Sequence, residues 1–358
     1  MNRSAVQRGN GVKPAVVFGL LAVAAAFAPL PARFVDTLYS SRLYRALQPP
    51  VTSASNAIPF ALLDAAIVLV LLLWIAGIAR DARAGIGHAA FRAILRTAAW
   101  GGAAYLGFLL LWGFNYRRVP IAETLQFDSS AVTREAARRV AAIAVSQLNT
   151  LAADAHQRGW PPTADIDPAL ESGLARALQD LGLAMPRVAR PKRTLLDLYF
   201  RRAGVQGMTD PFFLETLVVS DLLPFERPMV VAHEWSHLAG LADESAANFA
   251  GWLACIHGST ADQYSGWLFL YEELASALPR DDRAPLAESL GAVPRADLAA
   301  VGARILANVQ PRVSAVAWRA YDSYLKSNRV ASGTRSYEEV VRLVLGTEFA
   351  ADWTPRRR

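Results

Sequence analysis

The chain has 358 residues, of which 53% are hydrophobic and 19% are charged, and its formal net charge is +6. This length allows two domains, and the apolar excess is concentrated in the first third of the chain. Lysines and arginines are scattered or flank apolar runs, with no basic stripe interleaved with aromatics, so the composition argues against nucleic-acid binding. The single cysteine, Cys255, excludes an internal disulfide and a zinc site built from several cysteines.

Three apolar segments in the first third predict transmembrane helices over about 14–32, 58–78 and 97–114. Each is close to the roughly 20 residues that cross a bilayer as a helix. The first segment has an alternative interpretation as a cleaved signal peptide. Asp64, an ionisable residue within the second segment, lies near one end of it, and we interpret it as structural.

The distribution of basic residues predicts the orientation of these segments. The N-terminal flank and the short second connection are densely basic, whereas the longer first connection is less so. Since basic loops stay on the cytoplasmic side, the N-terminus is expected inside and the chain beyond Tyr116 outside. The predicted organisation is a membrane region over 1–118, in contact with the lipid bilayer, and an extracytoplasmic domain over 119–358.

The second region has the composition of a soluble domain, and its pattern predicts a mainly α fold with a few short strands. Helices are predicted from Thr133 to His156 and from Pro168 to Leu183, capped by Thr133 and by Asp167. Stretches rich in β-branched and aromatic residues, bounded by Gly and Pro, predict short strands from Thr194 to Phe200 and from Phe212 to Ser220. The remaining predicted helices cover about 228–239, 243–257, 262–277, 295–328 with breaks, and 336–345.

The most informative stretch is the sequence His-Glu-Trp-Ser-His, which begins at His233. His233 and His237 stand four residues apart, so on a helix both project from one face and can bind one ion. Glu234 follows the first histidine, where a carboxylate can take the proton of a metal-bound water. This is the HExxH pattern of zinc hydrolases, and chance produces it in only on the order of 0.3% of chains of this composition.

A zinc hydrolase needs a third protein ligand and an open position for water. Gly240 is placed to end the first helix, and Asp243 is placed to cap the next one. So short a turn would bring Glu244 back over the face that carries the histidines. We therefore predict Glu244 as the third ligand of one Zn2+ ion, with Asp243 and His257 as alternatives.

Other residues are candidates for supporting roles. Asn248, one turn beyond Glu244, is positioned to hydrogen-bond a ligand histidine. Metalloproteases usually add a side chain that stabilises the oxyanion, and the tyrosines Tyr264, Tyr271, Tyr321 and Tyr324 are the candidates. Glu215, which precedes the helix that carries His233 and His237, is a further candidate for an oxyanion or substrate contact.

Several pieces of the chain together resemble one family. They are Leu111–Arg117, His233–His237, Glu244–Phe249 with Leu253–Cys255, Tyr264–Trp267, and Tyr321–Lys326 before Ser336–Tyr337. They resemble the bacterial membrane proteins catalogued as domain of unknown function 3810, which carry N-terminal spans and an extracytoplasmic HExxH domain. The resemblance implies a zincin-like fold and a bacterial inner-membrane location.

The spacing of four residues between Glu244 and Asn248 is also similar to the Glu-x-x-x-Asp pattern of membrane-associated gluzincin peptidases. In those enzymes the Glu is the third metal ligand, which favours Glu244 over Asp243 and His257. Two positions depart from the patterns. Ala246 stands where family members often have a second acid, and Asn248 stands where the peptidases have Asp.

The sequence thus predicts a membrane-anchored zinc metallopeptidase of gluzincin type, acting on protein or peptide substrates of the envelope. In the predicted mechanism Glu234 takes a proton from water and hands it to the leaving amine. The alternative is a non-catalytic, zinc-stabilised membrane scaffold or envelope-assembly factor. Glu234 favours the enzyme, because a purely structural site would not need it. A transporter organised around Asp64 is a weak third reading, and the sequence makes no prediction of oligomeric state.

Overall fold

The computed structural model of the chain describes residues 3–162, 165–328 and 339–358, with side chains from residue 13 onwards. Within these ranges the protein is mainly helical with a few short strands, as the sequence predicts. A π-helical stretch, Val35–Tyr44, joins the second helix to the third. The helices of the N-terminal part are α1 (Arg3–Phe27), α2 (Ala32–Phe34), α3 (Arg45–Asn56), α4 (Leu62–Ala82) and α5 (Ile86–Leu111).

Two of these helices, α4 and α5, are long and apolar enough to cross a membrane. They include most of the second and third predicted segments, with α5 beginning eleven residues earlier than predicted, and most of their side chains are exposed on the protein itself. The first predicted segment lies largely in α1, which passes the same test only together with the helix over 32–56, from which it is bent by 110°. The apolar helices therefore associate the chain with a membrane. The basic N-terminal flank that orients them in the prediction lies mostly outside the described side chains.

The helical stretch over 32–56 packs on the C-terminal domain. Four polar side chains at helical spacing point from it into the protein, and the last three are almost fully buried. They are Tyr44, Gln48, Thr52 and Ser55, and they bond to the carbonyl oxygens of Leu238, Arg187 and Leu214 and to the carboxylate of Glu215. This helix was not predicted from the sequence, and two prolines, Pro49 and Pro50, lie inside it although proline disfavours helix interiors.

Among the described residues, the C-terminal domain contains eleven further helices around a small sheet. Short 3-10 turns cover Gly113–Arg117 and Ser129–Ala131. The helices and strands are α6 (Ile121–Thr124), α7 (Arg134–Arg158), α8 (Pro168–Asp180), β1 (Pro191–Lys192), α9 (Asp197–Ala203), β2 (Gly207–Thr209), β3 (Thr216–Val218), α10 (Arg227–Leu238), α11 (Glu244–Ile256), α12 (Thr260–Ala277), α13 (Arg280–Ser289), α14 (Ala292–Asn308), α15 (Pro311–Ser327) and α16 (Glu339–Gly346).

Most predicted helices are confirmed, together with their caps. Thr133 accepts a hydrogen bond from the Ala136 amide at the start of α7, and Asp167 accepts one from the Ala169 amide at the start of α8. The helix predicted over 295–328 is two helices, α14 and α15, and α13 was not predicted. For the helix predicted over 336–345, the first residues lie outside the described ranges, and the remainder is α16.

The strand predicted from Thr194 to Phe200 is wrong. Asp197–Ala203 forms helix α9, which buries Phe200 and Ala203 on one side and ends at Gly204 with φ of 80°. Spacing of three residues between the buried side chains outweighs the β propensity of the stretch. Of the strand predicted from Phe212 to Ser220, only β3 forms.

The sheet has the order β1-β3-β2, with β1 parallel and β2 antiparallel to β3. The pairs of residues in the antiparallel half are Gly207 with Val218, Met208 with Leu217 and Thr209 with Thr216. β2 is thus an edge strand, and it packs on α10.

Helix α11 lies at the centre of the domain, where every residue from Glu244 to Cys255 is buried. It packs against α8, α10, α12 and α16. The approach to α10 is close because Gly251 has no side chain: a Cβ there would lie 2.9 Å from the backbone nitrogen of His233. A helix that is covered on all sides holds its polar side chains in fixed positions.

Candidate metal centre

The turn between α10 and α11 brings the two ends of the predicted motif together. Gly240 adopts φ of 83°, and the amides of Gly240 and Leu241 bond back to the carbonyls of His237 and Ser236, which closes α10 as a left-handed cap. The Asp243 carboxylate then accepts a hydrogen bond from the Ala246 amide at 3.0 Å and starts α11. Both predicted caps are confirmed. Asp243 is occupied by capping.

The turn places the imidazoles of His233 and His237 against the carboxylate of Glu244. His233 Nε2 lies 3.2 Å from Glu244 Oε2, His237 Nε2 lies 3.5 Å from the same oxygen, and the two ring nitrogens are 3.1 Å apart. An ion with tetrahedral ligands at 2.0–2.1 Å would separate such atoms by about 3.3 Å. These three side chains could therefore hold a metal ion.

The hydrogen bond on the other side of His237 orients its ring for this purpose. Nδ1 lies 2.6 Å from the carbonyl oxygen of Leu241. A carbonyl only accepts, so Nδ1 carries the proton, and in the neutral ring Nε2 presents its lone pair to the cluster. The donor set passes the chemical test for a divalent metal: two imidazole nitrogens and one carboxylate oxygen, all aimed at one point.

The cluster also favours positive charge electrostatically. Burial by itself would lower the pKa of His237, but the carboxylate of Glu244 beside it raises the pKa to about 9. Burial opposes ionisation of Glu244, yet the two imidazoles hold the pKa of this carboxyl below its ordinary value. A cation is thus stabilised between the three side chains, whether it is a proton or a metal ion.

Glu234, between the two histidines in sequence, is 4% exposed and lies against β2. Thr209 Oγ1 donates to its side-chain Oε2 at 2.9 Å and lies 2.8 Å from its backbone oxygen. Gly207 provides the space, because a Cβ there would lie 2.7 Å from Glu234 Oε1. Burial raises the pKa of Glu234, although the two imidazoles act in the opposite direction. A carboxylate with a raised pKa is suited to accept a proton near neutral pH.

Helix α15 brings two of the predicted tyrosines to the cluster. The Tyr321 hydroxyl donates to Glu244 Oε1, on the oxygen that does not face the histidines. The Tyr324 ring stacks on that of Tyr321, with centroids 5.7 Å apart, and also contacts Phe108 and Tyr116 at 6.0 Å each. Tyr321 therefore orients the carboxylate of Glu244 directly.

Asn248 lies one turn beyond Glu244 on α11 and is buried. Among the described residues, neither histidine of the cluster has a hydrogen bond to Asn248: His237 Nδ1 bonds to the Leu241 carbonyl, and His233 Nδ1 is buried without a partner. The predicted hydrogen bond between Asn248 and a histidine is therefore not formed. His237 bonds instead to the carbonyl of Leu241 in the turn.

The other candidates lie apart from the cluster. Tyr264 donates to Asp297, which also lies 2.8 Å from His156 Nε2. Tyr271 is buried in the hydrophobic core. His257 faces Asp180, with 3.6 Å between the closest atoms.

Glu215 is fully buried and is committed to a structural ion pair. Lys192 Nζ lies 2.6 Å from its Oε1. Its remaining bonds come from the Ser55 hydroxyl and from the amides of Leu62 and Leu63 at the start of α4. Asp64 has a similar role, since it accepts hydrogen bonds from the Thr194 hydroxyl and the Leu195 amide.

The sequence prediction missed Thr209, which bonds to Glu234, and also a contact behind His237. Trp112 Nε1, at the end of α5, donates to the carbonyl oxygen of His237 at 3.2 Å, and its ring stands edge-on to the imidazole with centroids 6.0 Å apart. A tryptophan at the end of an apolar segment is typical of a membrane interface. The sequence therefore did not indicate that Trp112 contacts α10.

Comparison with known proteins identifies one relationship. The sequence model of the family described as "Protein of unknown function (DUF3810)" matches residues 39–345, which include α3 to α15 and the whole candidate metal centre. No curated protein and no solved structure matches the chain. The chain therefore belongs to the DUF3810 family.

Proposed function

We propose that this protein is a membrane-anchored, zinc-dependent metallopeptidase of gluzincin type that hydrolyses peptide bonds of envelope proteins or peptides. The observation that carries the proposal is the convergence of His233, His237 and Glu244 on one point, with the buried carboxylate of Glu234 adjacent in the same helix. A zincin-like arrangement of the domain is part of this proposal.

Zinc is the ion that the donor set supports best. Two imidazoles and one carboxylate from the protein leave a fourth tetrahedral position, which is the composition of catalytic zinc sites. Bound there, zinc would act as a Lewis acid toward a carbonyl oxygen and lower the pKa of a water molecule toward neutrality.

The residues of the chain would move the proton. Glu234 would accept it from the attacking water and return it to the leaving amine. Thr209, bonded to Oε2 at 2.9 Å, would hold the carboxylate in one orientation during both transfers. Tyr321 would keep Glu244 in place, and Trp112 would exclude water behind His237.

The exposed edge of the sheet favours a polypeptide as the substrate. β2 presents backbone groups that do not pair with β3, and it carries Gly207 and Thr209, the two residues that contact Glu234. An extended peptide could add to this edge by backbone hydrogen bonds, as many peptides add to sheet edges. Its scissile bond would then pass beside Glu234.

The proposed setting is a bacterial inner membrane, crossed more than once, with the N-terminus inside and the metal centre outside. The four arginines around the junction of α4 and α5, which are Arg80, Arg83, Arg92 and Arg96, support this orientation. Proteins or peptides of the envelope are then the accessible substrates.

The decisive experiment is Glu234→Gln in the full chain, purified in lipid nanodiscs. The amide keeps the size of the side chain but cannot accept the proton. We expect stoichiometric zinc by elemental analysis and complete loss of cleavage of a peptide library. Glu288→Gln, an exposed position on α13, is the matched control and should behave as wild type.

Two results would reject the proposal. If the wild-type protein binds no zinc, both a zinc enzyme and a zinc-stabilised scaffold are excluded. If zinc is bound but Glu234→Gln changes no activity and no cellular phenotype, the protein is a non-catalytic scaffold or envelope-assembly factor.

A further inference from the structure

Helix α9 and the turn before it present apolar side chains to the outside of the domain. Leu195, Leu198 and Tyr199 are 77%, 51% and 50% exposed. Leu198 and Tyr199 are neighbours on α9 and Leu195 lies in the turn just before it, whereas Phe200 and Ala203 of the same helix are buried in the core. A surface helix normally has one apolar side and one polar side, so a second apolar side indicates a second apolar environment.

This surface lies at the level where α4 begins. Asp64, in the first turn of α4, accepts hydrogen bonds from Thr194 Oγ1 at 2.7 Å and from the Leu195 amide at 2.8 Å. Nearby, Lys192 Nζ donates to the carbonyl oxygen of Phe60 at 3.2 Å, and the Phe60 side chain is 57% exposed. Phe60, Leu195, Leu198 and Tyr199 are here called the α9 face. Because α4 is apolar enough to cross a membrane, its first turn marks the boundary of the bilayer.

Buried hydrogen bonds and an ion pair hold the α9 face at the start of α4. The carboxylate of Glu215 accepts hydrogen bonds from the Leu62 amide at 3.0 Å and the Leu63 amide at 3.1 Å, and it pairs with Lys192 at 2.6 Å. Breaking a fully buried ion pair leaves an uncompensated charge, which proteins avoid. The domain therefore cannot lift the α9 face away from the start of α4 without disrupting its sheet.

The charges around the face suit a lipid surface. Arg193 precedes α9 in the sequence, Arg202 lies in its last turn, and both are exposed. The acid within the helix, Asp197, is paired with Arg201 at 3.0 Å. Apolar side chains flanked by basic ones are typical of segments that lie in the interface of a bilayer containing anionic lipids.

We propose that the α9 face is seated in the boundary between headgroups and acyl chains of the bilayer, on the side where α4 begins. Lipid is the occupant because the face is continuous with the membrane-crossing surface of α4. The globular domain is thus attached to the membrane at a second place, outside its spans.

The contact of the α9 face with lipid would also place the metal centre near the membrane. α9 is tied to the α14–α15 pair by hydrogen bonds from Trp318 Nε1 to the Ala203 carbonyl at 3.1 Å and from the Gln310 amide to the Arg202 carbonyl at 2.9 Å. α15 also carries Tyr321, which bonds to Glu244. The centre is therefore held near the lipid surface, and its substrates would be polypeptide segments next to a membrane. This last step rests on the proposed function, whereas the seating of the face does not.

Site-directed spin labelling of the full chain in nanodiscs of phosphatidylethanolamine and phosphatidylglycerol tests the seating. Cys255 is replaced by Ala, and Leu198→Cys carries the nitroxide. Ile143→Cys on α7, 39% exposed, is the matched control. We expect the label at position 198 to collide more with oxygen than with a water-soluble nickel complex, and the label at 143 to show the reverse.

Two outcomes would overturn the proposal. The first is a label at position 198 that is as accessible to nickel as the label at 143. The second is a label shielded from both reagents with dipolar broadening between labels, which would show that a second copy covers the face. Tyr199→Cys repeats the measurement independently, and unchanged thermal unfolding of each labelled variant verifies the fold. None of these readouts depends on zinc or on peptide cleavage.

Discussion

The indole nitrogen of Trp112 donates a hydrogen bond to the backbone carbonyl of His237, 125 residues further along the chain. This bond joins the end of an apolar helix to the helix that carries both histidines. Tyr44, from the helix over 32–56, donates to the next carbonyl, that of Leu238. The C-terminal end of α10 is thus anchored on two segments that precede the domain in sequence.

Trp112→Phe should loosen this anchor. The ring is largely kept, but the His237 carbonyl loses one of its donors, and a net loss of about 1–2 kcal/mol in the free energy of unfolding is expected. Zinc affinity should fall with it, because the ligand helix moves. Trp74→Phe is the control, since Trp74 bonds to Thr97 at an exposed position in the apolar helices. Equal behaviour of the two variants in thermal unfolding and zinc titration would contradict the coupling.

Tyr321→Phe tests whether the Tyr321 hydroxyl orients Glu244 or stabilises the oxyanion. It donates to Glu244 in the structure, so its removal should weaken zinc binding by about 10–100-fold, as loss of a partner of a metal ligand usually does. Tyr324→Phe leaves that hydrogen bond intact and should change zinc affinity much less. Competition with a fluorescent chelator measures both. Unchanged affinity with a reduced kcat in Tyr321→Phe would instead assign the hydroxyl to the oxyanion.

The candidate site was predictable from the sequence where its geometry is local. His233, His237 and Glu244 lie within twelve residues, and the intervening Gly240 and Asp243 form the turn and cap that their residue types favour. Local backbone rules therefore suffice to bring the three side chains to one face.

The surroundings of the site were not predictable in this way. Thr209 is 25 residues from Glu234, and Tyr321 is 77 residues from Glu244, so tertiary packing alone decides these contacts. Glu215 drew attention as an acid close to the metal helix, but its partner Lys192 appears only when β1 and β3 pair. In the short strands, of two or three residues, there is too little alternation to recognise.

Glu244→Ala and Asp243→Ala distinguish ligand from cap. Removing Glu244 takes away one of the three proposed metal ligands and leaves two imidazoles, so zinc occupancy should fall sharply. Removing Asp243 takes away a hydrogen bond to the Ala246 amide, which lowers stability by about 1 kcal/mol while zinc is retained. Elemental analysis and thermal unfolding of both variants give the comparison. Greater zinc loss in Asp243→Ala would reverse the assignment.

Gly207→Ala tests the contact between β2 and Glu234. The new methyl group would lie 2.7 Å from Glu234 Oε1, so the carboxylate must move. A displacement of about 1 Å at a proton acceptor can reduce kcat on the order of 100-fold, whereas zinc occupancy should stay unchanged. Gly302→Ala is the control, because nothing lies within 4 Å of its added methyl. Full peptide cleavage by Gly207→Ala would show that Glu234 is not the acceptor.

The stability of the domain should depend on pH through Asp262. Burial raises the pKa of this carboxyl from 3.8 to about 6, with Asp167 acting in the same direction and hydrogen bonds from Ser259 opposing. Between these two values the folded protein binds more protons than the unfolded chain, so the free energy of unfolding falls as pH rises from about 4 to about 6. The full effect of this group is on the order of 3 kcal/mol.

Asp262→Asn should reduce this slope, because the amide oxygen still accepts from Ser259 but no longer ionises. The slope will not vanish, since burial also raises the pKa of Asp210 to about 6. Thermal unfolding between pH 4 and 7 should therefore show the variant gaining on wild type as pH rises, while Asp281→Asn, at an exposed position, follows wild type throughout. Parallel curves for Asp262→Asn and wild type would mean that Asp262 ionises in the folded protein as freely as in the unfolded chain.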